Sequence, residues 1–184
     1  GGIAAAVGPL DSPEQHLADT IAAGAGLVDQ QAARILCYEA PARIHDLVRY
    51  GVSFDSLGGE VALGREAAHS RSRILHAGGD RTGAEIETAL SSAAQDPSIT
   101  ILDNTLAARL IVEGGRVAGV EAIALQTGEI ERYEAACVML ATGGAGQLYS
   151  HTTNPEVATG DGIALAFEAG AEIADIEFYQ FHPT

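Results

Sequence analysis

Leu140-Ala141-Thr142-Gly143-Gly144 closes an apolar run that begins at Cys137 and is typical of a strand buried on both faces. The run passes directly into glycines, and a second glycine turn, Thr159-Gly160-Asp161-Gly162, opens a predicted helix. Backbone without a Cβ at a strand-to-helix junction can lie against a flat ring or a pyrophosphate. The stretch therefore predicts a dinucleotide site beside a central parallel strand of an α/β fold.

Composition limits the classes of partner. The 184 residues are 47% hydrophobic, enough for a sizeable core, and 25 acidic against 10 basic residues give a formal net charge of −15. Such an acidic chain offers no basic stripe for nucleic acid, so we expect no nucleic-acid partner. No apolar run approaches the roughly 20 residues of a membrane span, so no membrane partner is expected either.

The two cysteines, Cys37 and Cys137, lie far apart in the sequence and have no histidine at metal-ligand spacing. Two lone thiols favour a reducing compartment and packing in the core over a disulfide or a zinc site. We therefore predict a cytoplasmic protein that binds no metal.

Both ends of the chain indicate an internal segment of a longer protein. It begins Gly1-Gly2-Ile3 without an initiator Met, and it ends at His182-Pro183-Thr184 without a polar tail. Part of any active site is then expected outside the chain, and the chain alone is expected to catalyse nothing.

Helix signals are clearest in the first half. Ser12 is a predicted N-cap with Pro13 in the first turn, and this helix should end near Gly24. A second helix begins after Asp29, and Pro41 is expected to end it and start a separate helix.

A long polar segment, residues 52–80, follows, and loops of this length tend to be functional. Thr82-Gly83-Ala84-Glu85 then forms a predicted capping box for a third helix.

Strand patterns dominate the second half. Residues 99–102 predict a short strand, and residues 106–112, 117–125 and 130–133 predict a three-stranded antiparallel meander within 104–135. The buried strand at 137–141, a helix at 161–169 and a last strand at 173–181 complete the predicted order.

Six motifs in this order resemble those of the succinate dehydrogenase/fumarate reductase flavoprotein superfamily. They are Gly1-Gly2-Ile3, the run Arg65-Glu66-Ala67-Ala68-His69-Ser70 with Arg73-Ile74-Leu75-His76-Ala77, Ala141-Thr142-Gly143-Gly144, Thr152-Thr153-Asn154-Pro155, Gly160-Asp161-Gly162, and Glu177-Phe178-Tyr179-Gln180-Phe181-His182-Pro183-Thr184. The resemblance spans essentially the whole chain. It implies that residues 1–184 are the middle part of a Rossmann-like FAD-binding domain with a three-stranded antiparallel β insertion. The nucleotide-binding motif would precede this part, and the capping and helical domains would follow it.

The Arg65–Ala77 run is most similar to the branch whose members oxidise L-aspartate to iminosuccinate in de novo NAD biosynthesis. The resemblance implies FAD as cofactor, O₂ or fumarate as electron acceptor, and handover of the product to quinolinate synthase. Ala67 and Ala68 stand where this branch commonly has two glycines. Two alternatives remain open: a fumarate reductase or succinate dehydrogenase flavoprotein subunit, and a non-catalytic flavin-binding module.

Site residues follow from the same resemblance, which implies catalytic roles for His182 and Glu66 and substrate contacts for His69, Ser70 and Thr184. His182 would hold a substrate carboxylate, and Glu66 would face the ammonium group. The cofactor-binding residues it implies are Gly1, Gly2, Ala141, Thr142, Gly143, Gly144 and Asp161.

Structural interpretations stand beside these roles. Asp161 also fits an acid at a helix N-terminus, and Glu66 also fits an exposed pair with Arg65. His69 fits substrate proximity or hydrogen bonding within its loop. The cationic cluster of Arg71, Arg73, His76 and Arg81 would guide a dicarboxylate or, as we favour, neutralise nearby acids such as Glu66 and Asp80.

Overall fold

A computed structural model describes residues 1–66 and 68–181 of the chain. They form two compact units, the first ending at Ile101 and the second beginning at Leu102. The helices of the described residues are α1 (Pro13–Ala23), α2 (Gln30–Arg49), α3 (Thr82–Ala93) and α4 (Asp161–Glu168). The strands are β1 (Ile3–Ala4), β2 (Ser56–Leu57), β3 (Glu60–Val61), β4 (Leu63–Gly64), β5 (Ile74–Leu75), β6 (Thr105–Glu113), β7 (Arg116–Ala124) and β8 (Ile130–Glu134). The predicted mixed α and β class is confirmed.

The core of the first unit surrounds the short strand β5. β5 pairs antiparallel with β1 on one side and with β4 on the other. Leu75 on β5 is fully buried and packs with Ala5 and with Ile44 of α2. The short strands thus bring the start of the chain, the polar segment and α2 around one apolar centre.

The start of α1 follows its local sequence signals. Ser12 is the N-cap, and its hydroxyl accepts a hydrogen bond from the Gln15 amide at 3.2 Å. Pro13 occupies the first turn and Gly24 is the C-cap, as predicted. Local capping chemistry is sufficient to fix this helix.

Pro41 does not divide α2, so that prediction is wrong. The helix runs unbroken through it for 20 residues. Cys37 and Ile44, one on each side of Pro41, are both buried. Residues seven apart lie on the same face of a helix, so burial of this face on both sides of Pro41 offsets the lost backbone hydrogen bond.

The capping box predicted at Thr82 is also wrong. The N-cap of α3 is Arg81, and it makes no side-chain capping bond. Thr82 is 3% exposed, and its hydroxyl donates to the Gly1 carbonyl at 2.7 Å and accepts from the Ala77 amide at 3.1 Å. Thr82 therefore fastens α3 to the first residues of the chain.

The second unit contains the predicted three-stranded antiparallel sheet, which is confirmed, with β7 between β6 and β8. Its turns fall at Gly114-Gly115 and at Gly128, all with positive φ. The ion pair of Arg109 with Glu121 joins the neighbouring strands β6 and β7, and that of Arg132 with Glu113 joins the two outer strands, β8 and β6.

Three further strand predictions, at residues 99–102, 137–141 and 173–181, are wrong for the residues that the structure describes. Met139, in the supposedly buried run, is 88% exposed, and Ile101 is 52% exposed. A strand requires a neighbour for its hydrogen bonds, and every ladder among the described residues is antiparallel and uses other segments. An apolar run by itself does not supply that neighbour.

The two thiols differ in environment. Both cysteines are free; Cys37 is buried as predicted, whereas Cys137 is exposed, so its predicted core packing is wrong.

Among the described helices, none is long and apolar enough to cross a membrane.

Replacing Thr82 by Val should lower the free energy of unfolding by about 1–3 kcal/mol, because the Ala77 amide loses its partner and the Gly1 carbonyl loses one of its two. Urea denaturation would measure the loss. Thr88→Val, an exposed threonine of the same helix, is the matched control and should change stability by less than about 0.5 kcal/mol. Equal effects of the two variants would contradict the assignment.

Candidate functional site

A buried ion cluster anchors the loop that carries the predicted substrate residues. Arg73 has no exposed surface, and its guanidinium donates to both carboxylate oxygens of Asp11 at 2.8 Å. Its Nη1 also donates to Oδ2 of Asp19 at 2.6 Å. Of the cationic cluster in the sequence, Arg73 neutralises acids as favoured, but its partners are on and before α1 rather than Glu66 or Asp80.

Ser70 is fastened to the same carboxylate. Its backbone N–H and its hydroxyl both donate to Oδ2 of Asp19 at 2.8 Å. Asp19 thus joins α1 to the loop through Ser70 and Arg73. These contacts give Ser70 a role inside the loop, and its predicted substrate contact remains a prediction.

The side chain of His69, in the same loop, lies near Arg73 and near His16 of α1. Its Nδ1 is 3.3 Å from Nη1 of Arg73, and its ring centroid is 5.7 Å from that of His16. The backbone oxygen of His69 accepts from Nε of Arg65 at 2.9 Å. The structure therefore shows the loop hydrogen bonding considered for His69.

Glu66 is exposed at the tip of this loop. Its backbone oxygen accepts from the His69 amide at 3.1 Å, which closes a turn that carries both side chains. Arg65 directs its Nε to the His69 carbonyl. The turn thus begins at an exposed carboxylate residue and ends at a histidine.

The ion cluster shifts the pKa values of its members. Burial alone would raise the pKa of Asp11, but hydrogen bonds from Arg73 and the Ser12 amide, together with the Arg73 charge, lower it below its usual value. The pKa of Asp19 is likewise lowered, because hydrogen bonds from Ser70 and Arg73 outweigh its desolvation.

His16 is the buried neighbour of this cluster, and its Nδ1 has no hydrogen-bond partner among the described residues. Burial and the nearby positive charges of Arg73 and His69 lower the pKa of His16.

Gly1 and Gly2, two predicted cofactor residues, lead into β1, and Gly1 lines a cavity of about 560 Å³. The Gly1 carbonyl is 3.1 Å from Nδ1 of His76 and accepts from Thr82. A Cβ on Gly2 would overlap Ile74 and come within 2.9 Å of the Leu75 oxygen, whereas space at Gly1 is open. Packing on β5 is therefore a sufficient reason for glycine at position 2.

In the second unit the two glycine motifs of the sequence meet. Gly162, near the start of α4, is buried, and a Cβ there would overlap the Thr142 hydroxyl. The Gly160 amide donates to the Gly144 carbonyl at 3.2 Å, and the Asp161 carboxylate accepts from Thr159 at 2.8 Å. Asp161 occupies the first turn of α4, consistent with an acid at a helix N-terminus.

The backbone at 143–144 fits a ligand that approaches closely. Gly143 has φ +73°, which a side chain would strain. Gly144 has an ordinary φ and no atom within 4 Å of its ideal Cβ position, so nothing in the described chain requires glycine there. Ala141 and Thr142 precede them in the same exposed segment.

An aromatic cluster that the sequence analysis missed lines a cavity of about 590 Å³ in the second unit. Tyr149 and Tyr179 have ring centroids 4.8 Å apart, and Phe181 lies 4.9 Å from Tyr149. Thr152 and Asn154 of the TTNP motif line the same cavity. No local sequence signal indicates this grouping, because Tyr149 lies thirty residues before Tyr179 in the sequence.

His182 and Thr184, two predicted site residues, and Ala67 lie outside the described residues. Among the described residues, no group of His, Cys, Asp or Glu side chains is arranged to hold a metal ion.

Comparisons with known proteins agree on one family. The model of the FAD binding domain family matches residues 1–184. The chain is 51% identical to an L-aspartate oxidase of Streptomyces coelicolor and covers 33% of that protein. It is 49% identical to an L-aspartate oxidase of Synechocystis, again over 33% of the relative, and both alignments take in the whole chain. The chain thus spans about a third of the length of these curated relatives.

Solved structures give the same architecture. An E. coli quinol fumarate reductase superposes with a TM-score of 0.85 at 30% identity, covering 91% of this chain and 29% of the other. The fold is therefore that of the FAD-binding domain of such flavoproteins.

The lowered pKa of Asp11 makes a prediction about acid stability. A carboxylate whose pKa is lowered by folding stabilises the fold above its ordinary pKa of 3.8, and this contribution is lost as the pH falls through its folded value. Asp11→Asn should therefore cost about 3 kcal/mol at pH 7, because it leaves Arg73 short of a buried partner. The difference from the wild type should shrink as the pH falls below about 4. A difference in unfolding free energy that stays constant from pH 7 to pH 3 would contradict this role.

Proposed function

The chain belongs to the FAD binding domain family, and on that premise we propose that it is the FAD-binding part of an enzyme that oxidises L-aspartate to iminosuccinate. The observation that carries the proposal is the identity of 51% and 49% with two L-aspartate oxidases over the whole chain. The wider protein would then serve the first step of NAD biosynthesis.

The described residues fit the cofactor. Gly143 and Gly144 provide a backbone that no side chain covers, and Gly1 borders a cavity with open space before it. With Gly2, Ala141, Thr142 and Asp161, these are the residues that would hold FAD. When bound, FAD supplies the acceptor of the two electrons that leave the substrate.

The substrate carries one ammonium and two carboxylates, so recognition needs charges of both signs. The exposed Glu66 carboxylate would bind the ammonium group, which a dicarboxylate such as succinate lacks. His182 would hold a carboxylate as a charge-assisted donor, with His69, Ser70 and Thr184 as further contacts. Orientation of the substrate Cα is the task of these side chains.

Several finer statements are part of the same proposal. Electrons would pass to O₂ or fumarate, and the unstable product would be handed to quinolinate synthase in the cytoplasm. The domain organisation is proposed as the middle part of the FAD-binding domain over residues 1–184, with residues 104–135 as an inserted meander.

A second candidate, a fumarate reductase or succinate dehydrogenase flavoprotein, is favoured by the structural likeness to quinol fumarate reductase. Glu66 discriminates between the two, because a carboxylate beside the substrate assists an amino acid and repels a simple dicarboxylate.

Anaerobic reduction of the flavin separates these functions. The protein as encoded, loaded with FAD and freed of oxygen, should lose its visible flavin absorbance on addition of L-aspartate, and D-aspartate and succinate should have no effect. Bleaching by succinate would instead support the dehydrogenase, and no bleaching by any of the three would support a non-catalytic flavin-binding module.

Glu66→Gln should raise the KM for L-aspartate about tenfold or more, because the ammonium loses an ionised acceptor. Steady-state kinetics with L-aspartate would measure this change. Glu60→Gln, a charge removal at an exposed position of β3 in the same unit, is the matched control and should leave the KM unchanged. A wild-type KM in Glu66→Gln would remove Glu66 from the substrate site.

Gly144→Ala should weaken FAD binding about tenfold or more while changing the unfolding free energy of the apoprotein by less than about 0.5 kcal/mol, since the added methyl meets no protein atom. Titration of the apoprotein with FAD, followed by flavin fluorescence, gives the dissociation constant. Gly83→Ala is the control, because it adds the same methyl at another open glycine of ordinary φ. Unchanged FAD affinity in Gly144→Ala would place the cofactor elsewhere.

A further inference from the structure

The contact between Arg73 and His69 determines which ring nitrogen of His69 carries a proton. Nη1 of Arg73 lies 3.3 Å from Nδ1 of His69. A guanidinium has only donors, so Nδ1 must be the acceptor in this contact. An accepting Nδ1 carries no hydrogen, and the proton of the neutral ring is therefore on Nε2.

Arg73 is itself unable to turn away from this arrangement. Nε and Nη2 are bound to the two oxygens of Asp11, and Nη1 is bound to Asp19. The side chain is fully buried, so its four assigned contacts leave the planar group one orientation. The second hydrogen on Nη1 then faces His69.

Two side chains flank the His69 ring. Nη1 of Arg73 faces Nδ1, and the ring of the buried His16 lies 5.7 Å away between ring centroids. Asp11 and Asp19 are both engaged by Arg73, and Asp19 also by Ser70. Neither carboxylate contacts the ring of His69 among the described residues.

We propose that Arg73 is a positioning residue that holds His69 as the Nε2–H tautomer, so that His69 donates this hydrogen to a carboxylate of the substrate. The inference rests on the proposed function for the identity of that substrate. Glu66 and His69 share one turn, closed by the bond from the His69 amide to the Glu66 carbonyl. The turn thus offers an acceptor for the ammonium and a neutral donor for a carboxylate, the two groups that an α-amino acid presents together.

Imidazole ¹⁵N NMR tests the tautomer without any turnover. The protein as encoded, labelled with ¹⁵N-histidine, should show for His69 a protonated Nε2 and an unprotonated Nδ1 at neutral pH. The His69 signals are assigned by their loss in His69→Gln. A protonated Nδ1, in either the other tautomer or the imidazolium, would overturn the proposal.

Arg73→Lys tests whether Arg73 is the cause. An ammonium keeps the buried charge but lacks the fork, so we expect a mixture of the two tautomers at His69. An unchanged, pure Nε2–H tautomer would overturn the role of Arg73. Asp19→Asn provides a second variant in case Arg73→Lys does not fold. It removes the carboxylate that binds Nη1 of Arg73, so the other tautomer of His69 should also appear. An unchanged spectrum of His69 in this variant would likewise overturn the role of Arg73.

Steady-state kinetics test whether Nε2–H of His69 donates a hydrogen bond to the substrate. The amide nitrogen of Gln can take the place of Nε2, whereas Leu has no donor, so His69→Leu should raise the KM for L-aspartate about tenfold and His69→Gln only about threefold or less. The kcat should change less than the KM in both variants. Equal rises in the two variants would overturn the donor role. Failure of the proposed function would appear separately, as wild-type protein that L-aspartate does not reduce.

Discussion

The buried guanidinium of Arg73 and its two carboxylates are the interaction on which the first unit depends. A cation taken out of water is costly unless its partners satisfy it, and here Asp11 and Asp19 accept three of its hydrogen bonds. Because Asp11 lies just before α1 and Asp19 in its second turn, these contacts fix the position of the polar loop against that helix. The turn with Glu66 and His69 is thus held in place by a guanidinium that is itself fully buried.

Chain segments with local signals behaved as their sequence predicts. Ser12 and Pro13 determine the start of α1 by chemistry within four residues, and the glycine turns at 114–115 and 128 determine the meander. Pro41 and Thr82 did not follow their local signals, for the same reason in each case. Burial of α2 on both sides of the proline and the carbonyl of Gly1 near Thr82 are tertiary partners, which no local window of sequence contains.

In the candidate site, too, features with a local sequence signal were predictable and features that depend on tertiary partners were not. The motifs located the loop at 65–77 and the glycines at 141–144 and 160–162, and the structure brings the latter two together. The partners of Arg73 could not be predicted from the sequence. Asp19 and Asp11 lie 54 and 62 residues away from it, and a chain of net charge −15 offers many other acidic residues. The aromatic cluster around Tyr149 was missed for the same reason. For Gly2, packing on β5 is by itself a sufficient reason for glycine, and the cofactor contact that the motif implies stays a prediction.

The overlap between position 162 and Thr142 makes the two glycine motifs of the second unit a single steric unit. A methyl group at position 162 has room only where residue 142 has lost its branched side chain, so the effect of either substitution depends on the other. The two sites are therefore epistatic, although 19 residues of sequence lie between them. A mutational library that varies one motif at a time would reject combinations that the backbone can accept, so redesign of this part of the second unit has to vary both motifs together.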